Sequence, residues 1–92
     1  MKYGIVIERG AQAQLAALPK AVRRKLKRRI DSLADDPRHA GTKPLQGTLK
    51  PLRCIRQGDY RAIYSIDDKV RVVRVTHVGH RRDVYSHAER GA

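Results

Sequence analysis

Residues from Lys2 to Glu8 alternate, with Tyr3, Ile5 and Ile7 on one side and Val6 and Glu8 on the other, which predicts a first β-strand. The Ala-rich stretch from Ala11 to Leu18, with Leu15 and Leu18 three residues apart, predicts a short helix. Pro19 suits the first turn of a second helix, where its missing N–H is harmless. That helix is expected to run to about Ala34, with Val22, Leu26, Ile30 and Leu33 as its buried stripe. Asp35-Asp36-Pro37 closes it. A loop punctuated by Gly41, Pro44, Gly47 and Pro51 follows, with Leu45 and Leu49 expected to pin it to the core. Three strand-like runs come next, Leu52–Arg56, Tyr60–Ile66 and Val70–Val78. Tight turns at Gln57-Gly58-Asp59 and Asp67-Asp68-Lys69 make them an antiparallel meander.

In the last run Val70 and Val72 stand on one parity and Val73 and Val75 on the other. The strand is therefore expected to be buried on both faces or bulged near Val73. The tail from Arg81 to Ala92 is too polar to assign beyond one helical turn. The fold class that follows is α+β: an N-terminal strand, a helical hairpin, then a three-stranded meander, all in one sheet packed on the helices.

Composition narrows this. The 92 residues suit a single domain spanning 1–92. A chain of this size buries only about 60–65% of its unfolded surface, so the core must be thin. Phe and Trp are absent, leaving Leu, Ile, Val, Ala and four Tyr to fill it. Lys and Arg number 21 against nine Asp and Glu, a net charge of +12. Such self-repulsion points to a polyanionic partner. The basic residues are spread over helix and strands without a long apolar run or a signal peptide, so nucleic acid is favoured over a membrane, and a cytoplasmic location is expected. Cys54 is the one cysteine, which excludes an internal disulfide. His39, His77, His80 and His87 form no ligand-spaced cluster, so neither a metal nor another cofactor is expected.

The segment from Pro51 to Tyr85 carries the candidate chemistry. In a meander, Arg56, Arg61, Arg74 and Arg81 can converge on one patch of sheet, where guanidinium groups would grip a phosphate with paired hydrogen bonds. RNA carries its own nucleophile, the 2′-OH. Scission then requires in-line geometry, compensation of charge on phosphorus and two proton transfers. For the protons the nearby groups are Tyr85 and His80, then His77 and His87; the residues alone do not choose between them. Surrounding arginines are expected to lower the pKa of Tyr85.

The run Gly58-Asp59-Tyr60-Arg61-Ala62-Ile63-Tyr64, followed by Val78-Gly79-His80-Arg81-Arg82-Asp83-Val84-Tyr85, resembles the RelE/ParE toxin superfamily. The likeness extends to the first strand and helical hairpin, to Leu33…Asp36-Pro37 and to Lys43-Pro44-Leu45-Gln46-Gly47. It implies an antiparallel sheet under a helical hairpin and an mRNA endonuclease acting in the ribosomal A site. It also implies a cognate antitoxin that wraps a toxin otherwise monomeric. On this resemblance Arg61 matches the arginine credited with phosphate stabilisation, and Arg81 the one on the leaving-group side. Tyr85 matches the tyrosine that orients the nucleophile or base. Members of the family place two lysines where this chain has Leu52 and Cys54. Lys50, Arg53 and Arg56 are the candidates to replace that charge, and only Arg56 shares strand parity with those positions. Lys50, Arg53, Arg56, Arg74 and His80 are the expected RNA-binding residues.

Plainer roles stand beside these. Arg61 and Arg81 can be solvated sheet residues, Tyr85 can cover a core edge, His80 can be surface, and Cys54 can be a small packing residue. Tyr60 and Tyr64 share a strand face and are expected in the core, and His39 on the loop surface. Arg23, Arg24, Lys27 and Arg28 form a solvated helix face or a contact for ribosomal RNA. Two rival functions remain open: a ParE-type toxin that inhibits DNA gyrase without cutting, and a non-catalytic RNA-binding protein.

Overall fold

The computed structural model describes residues 2–91. The chain runs β1 (Gly4–Ile7), α1 (Arg9–Ala16), α2 (Lys20–Ser32), β2 (Thr42–Pro44), a 3₁₀ turn (Gly47–Leu49), β3 (Arg53–Gln57), β4 (Tyr60–Asp67), β5 (Val72–His80) and α3 (Val84–Gly91). The sheet has five strands in the order β1-β5-β4-β3-β2, with β1 parallel to β5 and the other pairs antiparallel. The expected α+β class holds. The sequence expectation lacks β2 and the 3₁₀ turn, both formed inside what reads as loop, and α3 is two turns long where at most one was assigned.

Each face of the sheet has its own core. On one face, α1 contributes Ala11 and Leu15, and α2 with its C-cap contributes Leu26, Ile30 and Leu33. These pack on Ile55, Ala62, Tyr64, Val73, Val75 and Val78, with Tyr3, Ile5, Ile7 and Tyr60 around them. The helical stripe read from the sequence is the one buried, although Val22 at its N-terminal end is only half-buried. Tyr64 is fully buried, and its hydroxyl donates to the Pro37 carbonyl at 2.6 Å, tying the chain after α2 to the sheet. The other face carries a smaller cluster in which Val84 and Ala88 of α3 meet Leu45, Leu49, Cys54 and Ile63. Leu45 and Leu49 thus pin their loop to this second face.

Two irregularities set which side chain faces which way. The β4–β5 turn is longer than Asp67-Asp68-Lys69. The Asp67 carboxylate accepts from the N–H groups of Lys69 at 3.0 Å and Val70 at 3.3 Å, and Arg71 adopts a left-handed φ of 56°. The strand consequently starts at Val72, two residues later than expected, and Val70 is left 66% exposed in the turn. The bulge lies at Thr76 rather than near Val73: Ile63 pairs with His77 and Tyr64 with Val75, leaving Thr76 without a partner residue. This is why Val73 and Val75, then Val78, can all join the helix-side core. Beyond the bulge the parity inverts, so His77 and Gly79 turn to the second face and Val78 and His80 to the first.

Candidate active site

The hairpin between β3 and β4 organises the site. Gln57 pairs with Tyr60, so only Gly58 and Asp59 make the turn, and Gly58 carries a φ of 60°. A positive φ at the first central position is the pattern of a type II′ turn, which glycine adopts without strain. Arg61, one residue into β4, folds its guanidinium back on this turn. Its Nη1 donates to the Gly58 carbonyl at 2.7 Å and to the Tyr60 carbonyl at 3.0 Å. Arg81, just past the end of β5, reaches the same turn from the other side. Its backbone N–H donates to the Asp59 carbonyl at 2.8 Å, and its Nε lies 3.6 Å from the Asp59 carboxylate. Two arginines twenty positions apart are thus held on one three-residue segment, and the Arg81 side chain remains 57% exposed.

Strand register adds the neighbours. Arg61 pairs with Arg56 across β3 and with Gly79 across β5. Cys54 is two residues before Arg56 on the same face and pairs with Lys43 of β2. Lys43, Cys54, Arg56 and Arg61, with the backbone of Ala40 to Thr42, line a cleft of about 250 Å³. Three cations and no carboxylate line it.

Tyr85, in the first turn of α3, stands next to the cleft residue Cys54 without itself lining the cleft. It is half-buried, and its hydroxyl lies 3.6 Å from the Cys54 Sγ. Burial, reinforced by the Cys54 thiol, pushes its pKa up, while the Arg61 guanidinium beside it acts in the opposite direction. The expectation that arginines would lower this pKa is therefore reversed, because loss of water around the phenolate outweighs one guanidinium. Tyr85 keeps its proton at neutral pH.

The other expected residues are placed apart. Arg53 pairs with Tyr64 and so faces the helices. Its Nη2 donates to Thr42 Oγ1 at 2.9 Å, and its Nε is buried without a partner. His80 also faces the helices, because it follows the Thr76 bulge and pairs with Tyr60. The two rings meet edge-on with centroids 5.4 Å apart. Arg74 precedes the bulge and lies on the cleft face, but it pairs with Ser65. Four residues along β4 from Arg61 is about 13 Å at 3.3 Å per residue, which is too far for a shared phosphodiester. Lys50 is exposed at the end of the 3₁₀ turn, outside the cleft lining. His77 lies under α3, with Nδ1 3.0 Å from Thr76 Oγ1 and its ring 5.9 Å from that of His87, and burial lowers its pKa. His39, expected on the loop surface, is half-buried. Its Nδ1 accepts from the Gly41 N–H at 3.0 Å, and its Nε2 lies 3.1 Å from Ser32 Oγ. Cys54 is 2% exposed and packs in the second core.

Lys43 is the cleft residue that the sequence reading missed. It belongs to a three-residue strand between prolines and glycines, so no alternation marks it. In the sequence it stands only inside the Lys43-Pro44-Leu45-Gln46-Gly47 stretch of the family resemblance, with no role attached, and its pairing with Cys54 exists only once the strand forms.

Comparison with known proteins places this arrangement. Residues 5–85 match the family described as the ParE toxin of type II toxin–antitoxin systems, parDE. The chain is 40% identical to Toxin RelE of Mycobacterium tuberculosis over 53 residues, 58% of this chain and 54% of the relative, so the match spans about half of that protein. Its fold is similar to that in the RelBE2 toxin–antitoxin complex of M. tuberculosis (TM-score 0.79, 27% identity, 87% of this chain and 99% of that one). It is also similar to the RelE–RelB complex of Pyrococcus horikoshii (TM-score 0.74, 31% identity, 91% of this chain and 100% of that one).

Proposed function

The chain belongs to the RelE/ParE superfamily of type II toxins, and from that premise we propose that it is an endoribonuclease that cuts mRNA in the ribosomal A site without a metal. The observation that carries this reading is the anchoring of Arg61 and Arg81 on the Gly58–Tyr60 turn, beside a cationic cleft and a protonated Tyr85. The 2′-oxygen attacks the adjacent phosphorus and the P–O5′ bond breaks, giving a 2′,3′-cyclic phosphate and a free 5′-OH. Arg61, fixed by two carbonyls, presents its remaining N–H groups to the phosphoryl oxygens as charge builds there. Arg81, exposed at the strand end, serves the leaving-group side. Tyr85 delivers the proton that the departing 5′-oxygen needs, a task for which its retained proton suits it. Arg56 holds the flanking backbone. Lys50 and Arg74 stand outside the cleft lining and His80 on the opposite face of the sheet, and of these Lys50 and Arg74, both exposed, can meet RNA further along the strand.

Relatives of this fold were solved with RelB antitoxins. A cognate antitoxin covering the cationic face is the corresponding partner here, and the cytoplasm the place of action. Among the described residues no helix is long and apolar enough to cross a membrane.

The decisive test is primer-extension mapping of mRNA in a translating extract. New 5′ ends are expected with the wild-type chain and not with Arg61→Ala. A second reading, a ParE-type gyrase inhibitor, is favoured by the family match and by Leu52 and Cys54 at the family's lysine positions. It expects DNA-damage signalling on expression, with mRNA ends unchanged.

A further inference from the structure

The cleft has charge in its arginines and a proton donor beside it in Tyr85, but the 2′-OH must also lose a proton. Arginine cannot take it, because a guanidinium stays protonated at any working pH. The histidines are all elsewhere: His80 packs on Tyr60 across the sheet, His77 of β5 and His87 of α3 face each other, and His39 is engaged with Ser32 and Gly41. The Cys54 thiol is 2% exposed and lies against the Tyr85 hydroxyl, out of reach of RNA. Asp59 is engaged with Arg81 outside the cleft lining. That leaves one exposed proton-transferring side chain on the cleft wall. Lys43 stands directly across from Cys54, with Arg56 one pleat further along the same face.

We infer that Lys43, delivered from the edge strand β2, is the group that takes the proton from the 2′-OH. This rests on the nuclease reading above. In the step, the unprotonated Nζ accepts the 2′ proton as the 2′-oxygen bonds to phosphorus. The P–O5′ bond breaks and the 5′-oxygen takes the Tyr85 proton. Lys43 then loses its proton to water and Tyr85 regains one, so no oxidant, metal or second reactant is consumed. The edge position matters. β2 is three residues long and pairs on one side only, so its outer flank is open for RNA to approach the amine.

The test measures single-turnover cleavage of a ribosome-bound reporter mRNA by the full chain across pH 6.5 to 9, for wild type, Lys43→Arg and Lys43→Ala. Lys43→Arg keeps the charge and cannot accept a proton. It is expected to lose at least about 100-fold in rate with RNA affinity within about threefold. The pH dependence of the rate is expected to differ between wild type and Lys43→Arg, since only the amine can take up the 2′ proton. Added ethylamine should restore part of the Lys43→Ala rate, which a merely structural role would not allow. If Lys43→Arg cuts within threefold of wild type with the same pH slope, Lys43 supplies charge alone and the inference is overturned. If the wild type makes no cuts, the nuclease reading itself fails and this one with it; an active wild type beside an active Lys43→Arg defeats only the role given to Lys43.

Discussion

The two ends of the sheet handle charge in opposite ways. At the β4–β5 turn, Asp68 receives two hydrogen bonds from Arg38, at 2.9 and 3.2 Å, and one from the Tyr3 hydroxyl at 2.6 Å. Arg71 stacks over the Tyr3 ring at 5.6 Å. Here Asp68, Arg38 and Arg71 each have a partner, and the group ties the start of the chain to the segment after α2 and to the turn. At the β3–β4 turn Arg61 is held by neutral carbonyls, and among the described residues neither Arg56 nor the nearby Lys43 of β2 has an ion pair, with Asp59 3.6 Å from Arg81 as the local carboxylate. Cations fixed by backbone oxygens keep their charge for a ligand, whereas cations paired with a carboxylate spend it on holding the chain together. In a chain of net charge +12, this difference in partners separates Arg61 from Arg38, while Arg81 combines a backbone bond to Asp59 with a loose 3.6 Å contact to its carboxylate.

The sharpest way to break the comparison is Arg61→Ala. Cleavage is expected to fall about 10²–10³-fold, as for loss of one fixed donor to a developing oxyanion, with the melting temperature nearly unchanged. Equal loss of stability and activity would place Arg61 with the structural cations. Tyr85→Phe comes next. It retains the ring against the second core but has no proton to give, so a loss of at least about tenfold in cleavage is expected, with affinity for a non-cleavable 2′-deoxy substrate retained. Asp68→Asn should do the reverse. Its melting temperature is expected to drop by no more than a few degrees, since exposed pairs contribute little, while cleavage stays at the wild-type rate. The smallest effect is in pH. Arg38 and the Tyr3 hydroxyl hold the Asp68 carboxyl at about 2, below its ordinary 3.8. A carboxylate depressed by folding stabilises the protein above about 3.8, and that contribution is lost as pH falls toward about 2. Melting curves of wild type and Asp68→Asn should therefore converge across that acid range and differ above it.

Much of this was legible in the chain itself. Leu26, Ile30 and Leu33 fall on one helical stripe, and Tyr3, Ile5 and Ile7 on one strand face, because burial of apolar surface imposes the period of each element on the sequence. Gly58-Asp59 announces its turn, since few residues tolerate the required φ. The motif residues Arg61 and Arg81 were singled out by the resemblance to the RelE/ParE superfamily, and the resemblance alone separated them from Arg56 and Arg74. Less legible were β2, whose three residues show no period, and α3, whose apolar positions Val84 and Ala88 become a face only when the sheet beneath supplies Cys54 and Ile63.

The sequence by itself determined the order and type of the main elements, the excess of cations and the identity of the two turn-flanking arginines. The tertiary structure decided which of those cations share a surface. One unpaired residue, Thr76, inverts the parity of β5, so that His80 faces the helices and Gly79 lines up with Arg61. Pairing of β3 with β4 sends Arg53 to the helix side, and pairing of β2 with β3 brings Lys43 opposite Cys54. The reason is that side-chain direction in a sheet repeats every two residues. A single bulge or an unforeseen edge strand therefore reassigns whole sets of side chains without leaving a mark in local composition.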